Sequence, residues 1–304
     1  MHKFDDLNPF ASLTFFIFIS TLIMLTMHFV LIIISFFVNI LFYLYLSKDY
    51  KIKNHIYYLF LLLIIIIINP IFYHKGSTIL FFIRNNAFTL ESLLYGVNQG
   101  LMVISIIYLF KSFSIIFTVD KIIYVLSFFS MKISLILCIT LRYISLFKIE
   151  YKKIELAGKG LGLYSDYSMI DKIKAKTQIL SVLVTWALEN GIKTSDSMAA
   201  RGYGATKRTS FSIYRFTMED KIYIFINTFF LLLLLFYYIN NHLYINFYPT
   251  IQINTSNYTF IIYFIFLLIN ISPFFINYLY NTIWKIRIKN YDYIKNTNEL
   301  KINN

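Results

Sequence analysis

The feature that most constrains this chain is a series of long apolar blocks. Residues 10–46 contain no Asp, Glu, Lys or Arg, and further apolar blocks cover residues 56–73, 91–110, 221–240 and 258–280. About 20 mostly apolar residues suffice for a helix to cross a bilayer. The first block is therefore long enough for two helices joined by a tight turn near residues 27–29. The sequence predicts an all-α integral membrane protein with about six transmembrane helices.

Composition excludes the other broad classes. Hydrophobic residues make up 58% of the chain and charged residues only 14%, whereas soluble domains carry about 25% charged residues. The same apolar content excludes intrinsic disorder. A net charge of +13 is also found in nucleic-acid-binding proteins. The cations here gather in loops, as in the cytoplasmic loops of membrane proteins, so we expect the lipid bilayer and no nucleic acid as a partner.

Residues 111–148 look apolar but do not qualify as spans. Four cations interrupt them at intervals of about ten residues: Lys111, Lys121, Lys132 and Arg142. Each cation near the centre of a bilayer costs about 2.5–3.5 kcal/mol, so this segment is expected to lie outside the membrane. The chain then divides into four spans in residues 1–110, a cytoplasmic block of long helices in residues 111–219, and two spans with a basic tail in residues 220–304.

The distribution of cations predicts the orientation of these spans. The 47–55 loop, residues 148–215 and the tail are rich in Lys and Arg, so they are placed in the cytoplasm together with both termini. The 241–257 loop has no Lys or Arg and is placed outside. The 74–90 loop is also placed outside, although it contains Lys75 and Arg84. This is the one placement that runs against the charge rule.

The cytoplasmic block contains a long amphipathic stretch. Residues 168–190 have helical periodicity, and a helix that continued to Arg201 would be about 50 Å long. Asn190-Gly191 could instead break the helix, with Thr194 or Ser195 capping a second one. The sequence leaves both possibilities open.

Two short segments of this block share a form. They are Ala157-Gly158-Lys159-Gly160-Leu161-Gly162 and Ala199-Ala200-Arg201-Gly202-Tyr203-Gly204. Each is typical of a helix C-terminus, where Gly adopts the left-handed conformation and a cation suits the helix dipole. A second interpretation is that such a tip enters a groove on a partner and its cation meets an acid there. Arg can grip a carboxylate bidentately in that setting. Neither segment has the spacing of a phosphate-binding loop.

Residue types that would support catalysis or metal binding are not arranged for it. The histidines, His2, His28, His55, His74 and His242, do not pair at helical spacing. Cys138 is the only cysteine and is predicted to be a buried small hydrophobe, and Glu91 is predicted to be interfacial. We therefore expect no catalytic, cofactor-binding or metal-binding residue, and no enzyme activity in this chain.

Several motifs together resemble a known family. The most specific is Ser197-Met198-x-x-Arg201-Gly202-Tyr203-Gly204, which follows Thr185-Trp186-Ala187-Leu188-Glu189-Asn190. Upstream stand Asn69-Pro70-x-Phe72 with Gly76-x-Thr78, Thr89-Leu90-Glu91-Ser92-Leu93-Leu94-Tyr95-Gly96, and Leu141-Arg142-Tyr143. Over roughly residues 8–220 the chain resembles the transmembrane T component of energy-coupling factor (ECF) transporters, in the cobalt-transport-protein-like family.

The resemblance implies a role without chemistry. T components join a substrate-binding membrane subunit, the S component, to two cytoplasmic ABC-type ATPases in prokaryotic cell membranes, for uptake of a vitamin or a transition-metal ion. Their long coupling helices end in Ala-Arg-Gly-type motifs that enter grooves of the ATPases. ATP would be used by those partners, and this chain would bind no cofactor. The matching positions are Ala200, Arg201 and Gly202, and Gly158, Lys159 and Gly160, where Lys replaces the family's usual Arg.

Two other classes of function remain alternatives. A self-contained secondary transporter would show repeat symmetry and polar residues in broken helices at mid-membrane. A membrane enzyme with a basic cytoplasmic face would need acid, base or metal ligands at the membrane boundary. The sequence shows neither arrangement, and adjacent genes for ABC-type ATPases would favour the T component alone.

Overall fold

The architecture is that of a computed structural model that describes residues 3–47, 52–74, 76–83, 86–162, 169–205, 214–240, 243, 245–253 and 259–302. The chain forms two compact units. The first comprises Met1–Val119 with Tyr214–Asn304, and the second comprises Asp120–Ile213.

The elements follow one another along the chain in three groups. The first group is α1 (Lys3–Asp6), α2 (Pro9–Thr26), α3 (Phe29–Leu46), α4 (Ile52–Phe72), β1 (Ile79–Ile83), β2 (Asn86–Thr89) and α5 (Leu90–Ile116). The second is α6 (Val119–Phe129), α7 (Met131–Gly160) and α8 (Met169–Ala200). The third is α9 (Met218–Ile239), β3 (Ile245–Asn246), β4 (Gln252–Ile253) and α10 (Thr259–Ile302). Each pair of strands forms an antiparallel hairpin.

Six helices of the described residues are long and apolar enough to cross a membrane. They are α2, α3, α4, α5, α9 and the Thr259–Trp284 part of α10. Helices α6, α7 and α8 do not meet this criterion. The prediction of an all-α membrane protein with about six spans is confirmed.

The tight turn expected near residues 27–29 is formed by Met27 and His28. Met27 adopts a left-handed conformation with φ of 43°, and its carbonyl oxygen accepts a hydrogen bond of 2.9 Å from Asn98 Nδ2. The Tyr263 hydroxyl lies 3.2 Å from His28 Nε2. Burial lowers the pKa of His28 to about 4, so this side chain is neutral at pH 7. The α2–α3 turn is thereby fixed to α5 and α10.

Helix α5 ends later than the sequence predicts. Helix α5 continues past residue 110 to Ile116, although Lys111 was expected to begin an extramembrane segment. The Lys111 ammonium lies 4.5 Å from the ring centre of Tyr58 and 5.2 Å from that of Tyr43, and such cation–π contacts offset its desolvation. Helix α4 includes Pro70, because a proline in the last turn removes few helical hydrogen bonds.

A buried polar contact joins α3 and α5. Asn39 Nδ2 donates to Ser105 Oγ at 3.0 Å, and Ser105 Oγ donates to Ser35 Oγ at 3.0 Å. The three side chains are at most 2% exposed. Hydrogen bonds between spans favour association because lipid offers no alternative partner, so this triad sets which faces of α3 and α5 meet.

The segments that contain the two hairpins meet at one end of the first unit. The Ser77 amide donates to the Pro249 carbonyl at 3.1 Å. The Tyr95 ring packs against Phe247 and Tyr248, with centroids 5.3 Å and 5.8 Å away. The 74–90 and 241–257 loops therefore share one end of the spans, as the predicted topology requires.

Helices α4 and α5 approach most closely at Gly96. A Cβ at this position would lie 3.1 Å from Asn69 Cβ and 3.2 Å from the Ile66 carbonyl oxygen. At Gly100, about one turn further, the nearest atom is Leu62 Cγ at 3.6 Å, which is an ordinary contact. Small residues at this spacing allow close packing of helix backbones in membranes.

We expect Gly96→Ala to destabilise the α4–α5 contact relative to Gly100→Ala. The new methyl group of the first variant meets backbone atoms of α4, and overpacking of this kind costs about 1–3 kcal/mol. Both variants gain the same helix propensity, so the second is a matched control. Thermal unfolding of the purified protein in detergent measures the difference, and equal midpoints would contradict close packing at Gly96.

Candidate functional site

Helix α8 is a single helix through the position where the sequence allowed a break. It contains 32 residues, Met169–Ala200, and is about 48 Å long at 1.5 Å per residue. Asn190 Nδ2 donates to the Trp186 carbonyl at 2.9 Å, and Thr194 Oγ1 donates to the Asn190 carbonyl at 2.7 Å. Because both side chains bond back to the preceding turn, neither caps a second helix.

Helices α7 and α8 cross through two contacts. The hydroxyl groups of Tyr143 and Thr194 lie 3.0 Å apart, and the rings of Phe147 and Trp186 pack at 5.8 Å between centroids. Residues that advance along α7 thus meet residues that recede along α8, so the helices run in opposite senses at the crossing. Their C-terminal ends project to opposite sides of it.

The distances from the crossing to the two ends follow from helix geometry. Gly160 lies 13–17 residues beyond the α7 contacts, which corresponds to roughly 20–25 Å. Arg201 lies 7–15 residues beyond the α8 contacts, which corresponds to roughly 10–23 Å. The two glycine motifs are therefore not brought together. They form two separate tips of one crossed pair.

The tip of α8 is a complete helix C-cap. The Tyr203 amide donates to the Met198 carbonyl at 3.0 Å, and the Gly202 amide donates to the Ala199 carbonyl at 2.9 Å. Gly202 has φ of +78°. These two hydrogen bonds and the left-handed glycine form a Schellman motif. Arg201 is the last residue before the left-handed glycine. Ala200, Arg201 and Gly202 are all exposed.

The tip of α7 differs from the sequence expectation in its glycine. The left-handed residue is Gly162, with φ of +67°, and its amide donates to the Lys159 carbonyl at 3.1 Å. Gly160 is the last helical residue, and Gly158 is buried within the last turn. The positive φ thus follows the cation by three residues here and by one residue at Arg201, so the two tips present their cations differently.

The cations of the two tips also differ in their partners. Lys159 Nζ lies 2.9 Å from Glu155 Oε1, and both side chains are partly exposed, so this pair contributes about 0–1 kcal/mol. No salt bridge among the described residues involves Arg201. The Arg201 side chain is exposed.

The crossed helices carry many exposed apolar side chains. On α7 and α8 the exposed positions include Ile133, Ile136, Ile144, Leu156, Leu180, Val184, Leu188 and Ile192. Cys138 is exposed as well, so the prediction that it is buried is wrong. The reason is that the apolar run around it lies on a helix face that the described part of the second unit does not cover. Apolar patches of this kind are typical of binding surfaces.

A shallow cleft lies beside the crossing, close to the α8 tip. Its volume is about 280 Å³, and Ile139, Tyr143, Thr194, Met198 and Tyr203 line it with neighbouring small residues of α8. Its volume lies at the lower end of the range of about 300–1,000 Å³ that is usual for ligand pockets.

In the first unit, Glu91 is the centre of a cluster that the sequence did not predict. The side chain is 3% exposed, although it stands in the first turn of α5; its interfacial position in the membrane stays a prediction. Its carboxylate accepts hydrogen bonds from the amides and hydroxyls of Ser77 and Thr78 at 2.9–3.2 Å. These four donors offset the cost of burial. The Gly76-x-Thr78 and Thr89-to-Gly96 motifs are thus joined in space, a link that their separation in the sequence concealed.

Within the described residues, no group of three or more His, Cys, Asp or Glu side chains is placed to hold a metal ion. His28 and His55 instead make hydrogen bonds to Tyr263 and Tyr108. His2 and His242 lie outside the described residues.

Six candidate spans and a separate unit of crossed helices with exposed tips define a multi-pass α-helical membrane protein. A family model of the cobalt transport protein CbiQ matches residues 3–211. Since this match covers more than half of the 304 residues, the chain belongs to the cobalt transport protein family, and the resemblance seen in the motifs is confirmed at this level. Members of the family typically belong to multi-subunit transporters. A comparison with curated proteins gave no match.

We expect Gly202→Ala to weaken the α8 cap while Gly160→Ala leaves the α7 tip intact. Neither added Cβ would meet an atom within 4 Å, so only backbone conformation differs. A left-handed residue other than glycine costs about 1–2 kcal/mol, and Gly160 is helical. Hydrogen exchange of the Gly202 and Tyr203 amides, compared with that of the Leu161 and Gly162 amides, measures the effect. Unchanged protection at Tyr203 in Gly202→Ala would contradict it.

Proposed function

We propose that the chain is the transmembrane coupling subunit of an ECF-type ABC importer. It would transmit ATP-driven motion of two cytoplasmic ATPases to a substrate-binding membrane subunit, for uptake of a vitamin or a transition-metal ion. The observation that carries this proposal is the pair of exposed basic helix tips on opposite sides of the α7–α8 crossing. The family match supports the transport role.

The α8 tip has the chemistry to bind in an acidic groove of a partner protein. Arg201 is held by a hydrogen-bonded cap and is flanked by Ala199, Ala200 and Gly202, so a groove can close around the backbone without steric hindrance. A carboxylate inside such a groove would receive two parallel hydrogen bonds from the guanidinium. Lys159 offers a single point charge and already contacts Glu155, so its grip is weaker.

The separation of the tips suits two partners rather than one. Measured through the same contact, the two arms add up to roughly 36–42 Å, a distance that separate grooves on two protein subunits can match. A relative movement of those subunits would act on the helices as rigid rods. The contacts Tyr143–Thr194 and Phe147–Trp186 would then serve as the pivot between them.

The apolar faces of α7 and α8 would bind the substrate-binding membrane subunit. A large apolar surface outside the spans is costly in water, and a partner with a matching apolar face removes that cost. The protein would lie in the cell membrane of a prokaryote with both termini in the cytoplasm. In this arrangement the chain is not an enzyme and binds no cofactor, because ATP is bound and hydrolysed by the partner ATPases.

We expect Arg201→Ala to weaken binding of the ATPases by about 2–4 kcal/mol, as the loss of a buried interface arginine does. Lys159→Ala should cost less, and Arg201→Lys should be intermediate because it keeps the charge but not the fork. Lys193→Ala is the matched control, since Lys193 is an exposed cation of the same helix paired with Glu189.

The measurement is the affinity of the detergent-solubilised chain for purified ABC-type ATPase subunits, followed by uptake assays with the complete complex. If Arg201→Ala is folded and inserted, yet binds the ATPases and supports uptake as the unchanged protein does, the proposed coupling mechanism is wrong.

We expect Phe147→Ala to reduce uptake while ATPase binding is retained, because the variant loosens the pivot and leaves both tips unchanged. Removal of a packed aromatic side chain costs about 3–5 kcal/mol when it is fully buried, and less at this partly covered position. Ser145→Ala, at an exposed polar position of the same helix, is the control. Loss of uptake to the same extent in both variants would contradict a pivot at Phe147.

A further inference from the structure

The β1–β2 hairpin exposes apolar side chains on both of its faces. Ile79, Leu80, Phe81 and Phe82 are 51%, 51%, 49% and 67% exposed. Successive residues of a strand point to opposite faces, so Phe81 and Phe82 mark two faces that the described part of the protein leaves uncovered. The Phe81 ring stacks on Phe88 at 4.5 Å, which keeps one aromatic pair together on its face.

The base of this hairpin is firmly attached to the spans. Ser77 and Thr78 donate to the buried Glu91 carboxylate, and the Leu90 amide donates to the Thr78 carbonyl at 3.0 Å. Gly76 is so close that a Cβ there would lie 2.5 Å from Glu91 Oε2. The depth of the hairpin is therefore set by the start of α5.

The exposed surface of the hairpin continues that of helix α4. At the C-terminal end of α4, Ile71, Phe72 and Tyr73 are 49%, 74% and 54% exposed. Only 6% of the α4 span is buried within the protein, so lipid is available along this helix up to the hairpin. The two apolar surfaces meet at the same end of the spans.

We propose that the β1–β2 hairpin lies in the interfacial layer of the bilayer, where phospholipid covers both of its faces. Two observations set this depth. Apolar and aromatic side chains on both faces favour lipid over water. A two-stranded hairpin also has unpaired edges, which the hydrocarbon core does not tolerate. The interface satisfies both conditions, since the side chains reach acyl chains while the edges reach water and headgroups. The inference is independent of the coupling function proposed above.

The test places a fluorescent label on each face of the hairpin. Cys138→Ser removes the only cysteine, and Phe81→Cys and Phe82→Cys then accept an environment-sensitive nitrobenzoxadiazole label. Thr250→Cys is the aqueous control, since Thr250 is exposed in the other loop at this end. Phe60→Cys, on the exposed face of α4, is the control at mid-span. The full chain is reconstituted in phosphatidylcholine–phosphatidylglycerol vesicles.

Lipids spin-labelled near the headgroup and near the chain end are compared as quenchers, with iodide as the aqueous quencher. We expect both hairpin labels to be quenched about twofold more by the shallow spin label than by the deep one, the reverse of Phe60→Cys, and to be shielded from iodide relative to Thr250→Cys. Iodide quenching equal to that of Thr250→Cys would overturn the proposal. So would protection from both iodide and lipid, which would show that a second copy of the chain covers the hairpin.

Discussion

The structure depends above all on the requirement that backbone polar groups inside a bilayer be satisfied without water. Within the described residues this is met by helices that satisfy their own backbones, and strands occur only in the loops between spans. Several polar side chains that enter the spans meet the same requirement. Ser35, Asn39 and Ser105 satisfy one another, and Lys111 rests on two tyrosine rings. Each polar group that is buried in this way also specifies which helices are neighbours.

The two units of the chain use exposed apolar surface differently. In the first unit it covers spans such as α4, where lipid is the natural solvent. In the second unit it covers α7 and α8, which are not among the candidate spans. Exposed apolar faces of this kind are typical of binding surfaces. Members of this family typically belong to multi-subunit transporters, and the uncovered apolar surface of the second unit fits such an assembly.

Much of the fold follows from the sequence because apolar block length is a strong signal. The spans and the turn at Met27 and His28 were predicted from it. Features that depend on contacts distant in sequence were not. The buried contacts of Glu91 were not predicted, because nothing local in the sequence announces its donors at Ser77 and Thr78. The extension of α5 past Lys111 was not predicted either, because its two tyrosine partners lie on other helices. At the candidate site the tip residues could be named, but their geometry could not. Gly162 rather than Gly160 takes the left-handed position at the α7 tip. Helix α8 continues without a break because the Asn190 and Thr194 side chains donate to carbonyl groups of the preceding turn.

The different ends of α7 and α8 have a consequence for their binding to any symmetric pair of partner subunits. Two identical grooves would bind different ends. One would receive an arginine that directly precedes its left-handed glycine. The other would receive a lysine that stands three residues before its left-handed glycine and also contacts Glu155. Equal pulling on both would then free the lysine side first. The two ends of such an assembly would dissociate in a fixed order, and this chain alone would determine that order.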